Sequence, residues 1–457
     1  MTSAVPPDSL AGATTHLAET AVTTRFEDLS AEVVEAAATG VLDWVGVAIA
    51  GATEPVARWL TDVVVGEGQG RAGAGVATLL GRSISASPLQ ATLVNATSAH
   101  ALDYDDSLDA MEGHATTPVL PGLLALAEGR GLPPTRLLGA YVAGIDCAWS
   151  LGTLVNPGHY EQGWHATATL GVLAGAAAAA NLLEFDRDAC ERCLGLAALQ
   201  AAGLKSAFGT MGKPLQVGRA AEAGLLSALL VERGYTAPGH VVERPQGFAR
   251  TYGVDPDPRN DPLAPGEHAD GRLLFKHHAS CHATHPAIEA IARIRAETRI
   301  EVEEVMRIDV DVVPSLERIC GVGVPTTGLE AKFTLPGAVA MALLDLDTAS
   351  PAAFTDELVT RPDYLAVLDK VAVHPTEGLG EWTSRVRIRT PNGELVRQVD
   401  ISEPIQPAET RASVEAKFLA LTAPRLGEAG AAALASEILR LHEHASVREW
   451  VPMTRGA

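Results

Sequence analysis

Apolar positions recur at helical spacing almost from the start of the chain. Between Ser30 and Gly51 the positions Val33, Val34, Ala37, Val41, Leu42 and Val45 mark one helix face, with Ser30 placed to cap it. The same periodicity predicts helices over 87–102, 117–130, 135–152, 164–183, 188–209 and 217–233. Loops rich in Gly or Pro, such as Gly129–Pro134 and Gly234–Gly239, separate them. No alternating pattern interrupts this half, so it reads as all-helical to about residue 240. Residues 244–270 are dense in Pro, Gly and Asp and read as an irregular crossing. Beyond it Val305–Val313 alternates and reads as a strand, and Val367–Val373 as another. Val386–Thr390 and Glu394–Ile401 flank Pro391-Asn392-Gly393, which predicts a hairpin turning on Asn-Gly. Helices over 285–297 and 329–346 lie among these strands, and helical spacing returns over 414–450. The expected fold is mainly α: a large all-helical domain built from both chain ends, 1–268 and 402–457, with a smaller α+β domain, 269–401, inserted.

Composition sharpens this picture. Apolar residues make up 47% of the 457 positions but aromatics only 4%, so the core must join closely spaced helices through small side chains. The formal charge of −21 argues against a nucleic-acid partner. It also requires that any anionic substrate meet a local basic pocket within an acidic shell. Five scattered cysteines do not suggest a disulfide framework. The first residues show neither a basic nor an apolar signal region, and the apolar run Leu170–Leu183 is shorter than a membrane span. A cytoplasmic protein with no membrane partner is expected.

Four segments could carry chemistry. His100, Asp103, Asp105, Asp106 and Ser107, followed by His114, place three acids within four residues. Such crowding belongs at a solvated helix end or in a polar site. A metal reading is open, but the spacing matches no standard motif. His165, in Gly163-Trp164-His165-Ala166-Thr167, opens a helix whose dipole would favour a neutral, basic imidazole; the plain alternative is a histidine satisfied by a carbonyl. Lys213 sits in Gly209-Thr210-Met211-Gly212-Lys213-Pro214, bracketed by glycines at a helix start, where an anion could bind or a solvated lysine could stand. Lys276-His277-His278-Ala279-Ser280-Cys281-His282-Ala283-Thr284-His285 holds four histidines and a lysine within ten residues. It offers either zinc ligands (Cys281, His282, His285) or a basic clamp for carboxylates. Cys190 and Cys193 form a CxxC inside a helical run and are not read as a redox motif.

Together these segments resemble the MmgE/PrpD family. The matching stretches are HALDYDD (100–106) with His114, GWHATATLGVLAGAAAAANLL (163–183), LQAAGLKSAFGTMGKPLQVGRAAEAGLLSALLVERGYTAP (199–238), Lys276 with SCHATHPAIEAI (280–291), and EAKFTLPGAVA (330–340). The resemblance implies a large helical domain with a smaller lid domain, a homodimer, and neither metal nor organic cofactor. It points to catalytic roles for Asp103, His114, His165 and Lys213 and to substrate contacts for Ser107, Lys276 and His285, and the basic-clamp reading of the histidine-rich segment adds His277, Cys281, His282 and Thr284 as substrate contacts. Three positions depart from the family pattern: Gln216 for a frequent histidine, His282 for an arginine, and Gly337 for a tyrosine.

The implied chemistry is that of a cofactor-independent lyase moving protons α to a carboxylate of a small di- or tricarboxylate. Lysines would stabilise the developing enediolate, and His165 and His114 would be the acid–base pair, in either order. Dehydration, decarboxylation and epimerisation all fit one such constellation. A metal-dependent hydrolase and an inactive ligand-binding relative are the other open classes.

Overall fold

A computed structural model describes residues 10–66, 76–253, 267–320, 323–380, 382–402 and 407–455. Helices account for 61% of the protein, so the fold is mainly α. Local capping sets several helix starts. The Ser30 hydroxyl accepts the Val33 amide at 3.3 Å and opens Ala31–Gly51. Ser87 and Gln90 form a reciprocal capping box at the start of Pro88–His100.

The centre of the helical layer is Gly171–Leu182, all of whose residues are buried. Pro134–Val155, Thr116–Arg130 and Gly212–Glu232 surround it. Its run of alanines lets backbones approach closely, which is how a chain so poor in aromatics fills its core. The late helical segment Pro407–Leu439, two helices joined at a kink at Gly427, returns to lie along Ala31–Gly51. There Phe418 rests on Gly46, where even a Cβ would come within 2.9 Å of the ring. Ala31–Gly51 and Pro134–Val155 are long and apolar enough to cross a membrane, but 72% and 83% of their apolar stretches are buried in this packing.

Strands Val371–Pro375, Arg307–Val312, Thr383–Thr390 and Gly393–Asp400 form one sheet in that order, the first pair parallel and the others antiparallel. The helix His285–Glu297 packs on its last two strands.

Several expectations need correction. The helix expected over 188–209 ends at Ala198, and the following loop passes through Gly203 and Gly209 at φ 147° and 78°. The helix expected over 329–346 is two, Gly328–Ala331 and Leu335–Leu343. Pro336 can open the second but cannot continue the first. The hairpin turns on Pro391-Asn392, with Gly393 already paired to Thr390; a turn on Asn-Gly would have put Pro391 in the strand opposite Glu394, where it has no N–H for the ladder. The first half is also not purely helical: Ala77–Thr78 pairs with Ser85–Ala86, and Ser107–Leu108 pairs with Leu273–Leu274. Helices Ala13–Thr23 and Pro55–Val65 were not anticipated. Of the expected irregular crossing, residues 254–266 lie outside the described ones.

Candidate active site

Pro88–His100 ends at a turn in which Asp103 adopts φ 52°. Aspartate tolerates this left-handed conformation better than most residues. The turn's next three carbonyls are each taken by a different buried lysine. Lys332 donates to Leu102 at 2.7 Å, Lys276 to Asp103 at 2.6 Å and Lys417 to Tyr104 at 2.6 Å. The Asp103 carboxylate faces outward from this mooring. Lys213 bonds one of its oxygens, and Lys276 lies 3.1 Å from the other. Burial alone would raise the Asp103 pKa, but the two ammonium groups outweigh it and hold the carboxyl well below its usual range.

Beside Asp103 the acids and histidines interlock. His100 Nδ1 is 2.9 Å from Asp105, whose carboxylate also accepts the Thr117 hydroxyl at 2.6 Å. The ring of His114 stands between two acids, Nε2 3.6 Å from Asp103 and Nδ1 3.4 Å from Asp105. Burial raises the Asp105 pKa, and His100 and His114 more than reverse it. Burial lowers His100 to about 4. Asp106 has no cation beside it. Burial lifts it to about 7, and Thr116 supplies its hydrogen bonds.

His165 caps Ala166–Thr169. It is 2% exposed, and neither ring nitrogen has a hydrogen-bond partner. Its pKa is pushed well down, first by burial and then by Lys213, so the ring is neutral. The helix dipole is not the main cause. Its ring meets Phe208 edge-on at 5.1 Å.

Several of these side chains line one small, partly enclosed cavity. Asp103, Ser107, His114, His165, Lys213, Lys276, Cys281 and His282 of the predicted set border it. Three do not. His277 is turned away, its ring against Ser413 and its carbonyl accepting from Tyr104. Thr284 folds back onto Ser280 and the Cys281 carbonyl. His285 lies behind His282 and lines a neighbouring cavity. The mechanism is the helical start at His285, which rotates successive side chains of the motif to different sides.

Sequence reasoning missed Tyr160, Thr167, Phe208, Phe333 and Trp382 as cavity walls. Phe333 stood inside the matching AKFTLP stretch, and Trp382 carried no signal. The expected basic pocket is also only half right. Its two lysines are matched by Asp103 and Glu112 in the same wall, so a substrate carboxylate must compete with Asp103 for them.

The three departures resolve differently. Gln216 does not reach the cavity; it holds both the amide and the carbonyl of Leu204, pinning the loop after Ala198. His282 is a cavity wall, its ring tilted against that of Trp382 with 4.9 Å between centroids. Gly337 does not border the cavity; a Cβ there would collide with the Tyr364 hydroxyl.

Among the described residues, His100, Asp103, Asp105 and His114 bring ligand-type atoms within 4.8 Å of one another. The set fits a dication poorly, because Lys213 and Lys276 already place two positive charges on Asp103. Cys281, His282 and His285 do not converge into such a group.

Comparison with known proteins places the chain. The MmgE/PrpD N-terminal domain matches residues 15–261 and the MmgE/PrpD C-terminal domain residues 278–443. The cis-aconitate decarboxylase of Aspergillus terreus is 25% identical over 416 residues, 85% of this chain and 84% of that one. The human cis-aconitate decarboxylase is 26% identical over 308 residues, 64% of this chain and 63% of that one. A cis-aconitate decarboxylase-like protein of Aspergillus oryzae is 28% identical over 238 residues, 48% of this chain and 49% of that one. With both domains matched across most of its length, the chain belongs to the MmgE/PrpD family.

Proposed function

We propose that the protein is a cofactor-independent lyase acting on a small di- or tricarboxylate, with decarboxylation of a cis-aconitate-like substrate the favoured reaction. The observation that carries this reading is the convergence on one cavity of Lys213 and Lys276, both paired with Asp103, and the neutral His165, whose ring nitrogens have no hydrogen-bond partner among the described residues. The names of the similar proteins favour decarboxylation over dehydration or epimerisation.

The substrate's carboxylates take the two ammonium groups in exchange for part of their hold on Asp103. In decarboxylation the bond to the departing carboxylate breaks and CO₂ leaves. The electron pair delocalises into the remaining unsaturated carboxylate, where the lysines stabilise it. A proton then reaches the carbon from a histidine; His114, with a carboxylate beside each ring nitrogen, is placed to donate it. His165 orients the substrate or, for a hydroxy acid, removes the α-proton. The substrate is anionic, and no nucleic-acid or membrane partner is invoked. A homodimer in the cytoplasm completes the proposal.

The test is proton NMR of the EDTA-treated enzyme in D₂O with cis-aconitate, 2-methylcitrate, citrate and an iminodisuccinate-type acid. CO₂ loss with one deuterium incorporated supports decarboxylation. A new olefinic signal from the hydroxy acids means dehydration instead, and exchange alone means epimerisation. Inertness that zinc reverses would overturn the metal-free reading.

A further inference from the structure

His282 is the wall between two cavities. It borders the reaction cavity with Lys276 and Trp382, and it borders a second, partly open cavity with His285 and Glu289. The ring centroids of His282 and His285 are 4.6 Å apart with the rings tilted by 58°, and no direct hydrogen bond joins them, so a transfer between them would pass through one bridging water. His282 is 7% and His285 2% exposed. Each has a buried nitrogen without a partner, Nδ1 of His282 and Nε2 of His285. Burying two such nitrogens is costly unless they are used.

We propose that His285 and His282 form a relay that carries protons from the second cavity into the reaction cavity. The inference rests on the proposed lyase chemistry, which supplies the need. Each decarboxylation forms a C–H bond with a proton taken from a cavity histidine, and that proton must be replaced from solvent once per turnover. The relay moves it as a pair of transfers. His285 takes a proton on one nitrogen and releases one from the other to His282, which does the same toward the reaction cavity. No net charge stays on either ring.

The neighbourhood suits this traffic. Burial, followed by Lys276 for His282 and by His282 itself for His285, lowers both pKa values well below the ordinary range. Both rings are therefore neutral, each with one donor and one acceptor nitrogen. Lys276, Asp103, His114 and His277 act on His282, Lys276, His277 and His278 act on His285, and Glu289, Arg293 and Asp400 line the second cavity with the pair. Glu289 is held by His278, 3.1 Å away, and His278 in turn packs edge-on against His285 at 4.8 Å. The second cavity thus has a carboxylate at its side to exchange protons with water.

The experiment uses His285→Gln and His285→Phe, with two readouts. The first is kcat and KM across pH with and without added imidazole. The relay predicts a fall in kcat of roughly tenfold or more with KM retained, and recovery as imidazole rises. The second is solvent exchange of the His282 ring N–H, followed by NMR in ¹⁵N-histidine-labelled protein without substrate. It should be slower in both variants. Unchanged exchange, a kcat loss that imidazole does not restore, or a rise in KM alone would each overturn the relay. If the native enzyme turns over no polycarboxylate, the lyase proposal fails, and the exchange rates still decide the relay.

Discussion

Lys276 holds Asp103 twice: its Nζ lies 3.1 Å from the carboxylate Oδ2 and donates to the same residue's carbonyl at 2.6 Å. Lys213 holds only the carboxylate. The two lysines should therefore separate in stability. Lys276→Met strips a buried backbone carbonyl as well as half of a buried ion pair and should cost about 3–5 kcal/mol. Lys213→Met leaves Asp103 one ammonium and should cost clearly less. Both should abolish most activity. Urea unfolding of the two variants checks the order, and equal losses would contradict it.

His165 is buried with both ring nitrogens unsatisfied, so its value lies in the reaction and not in folding. His165→Asn should reduce kcat by about 10²–10⁴-fold without lowering the melting temperature. A variant with full activity would remove His165 from the site.

Outside the cavity, His159 Nδ1 meets the Tyr252 carbonyl at 2.9 Å and Nε2 the Thr169 hydroxyl at 2.6 Å. Burial lowers its pKa to about 4. The unfolded chain therefore takes up this proton near pH 6.5 while the folded one waits until about 4. The contribution of His159 to stability is full above pH 6.5 and is lost as pH falls toward 4. His159→Gln lacks that loss, so the gap between native protein and variant should narrow across this window. Parallel stability curves from pH 7.5 to 4 would rule the linkage out.

Gly337 leaves no room for a side chain because both the Tyr364 hydroxyl and the Thr334 methyl crowd the Cβ position. Gly337→Ala should cost about 1–3 kcal/mol. In a Tyr364→Phe background the cost should shrink only in part, since the ring carbon would stand at 3.6 Å while Thr334 Cγ2 would still meet the new Cβ at 2.5 Å. Additive losses in the double-mutant cycle would show that the two positions do not press on one another.

Much of the fold was legible because helical periodicity is strong in a core made of alanine and leucine. Boundaries failed where one residue overrides periodicity, as at Gly203 and Pro336. The cavity was legible where polar residues crowd in sequence, as at Asp103 and His114. It was not legible for Lys332 and Lys417. A lysine in a helical or mixed segment reads as solvated, and only tertiary structure shows these two to be buried against carbonyls. Nor could spacing alone tell that His285 turns away from the cavity that His282 faces.

The turn at Leu102–Tyr104 has a further meaning. Its three carbonyls wait for lysines that lie 230, 173 and 313 positions later in the chain. None of the three moorings can be made while only the first half of the protein has left the ribosome. The turn works as a coincidence detector: Asp103 is fixed in its left-handed conformation once three remote segments have all arrived. A chain that stops short or folds in part thus displays the histidines and acids of the site without the geometry that would let them react.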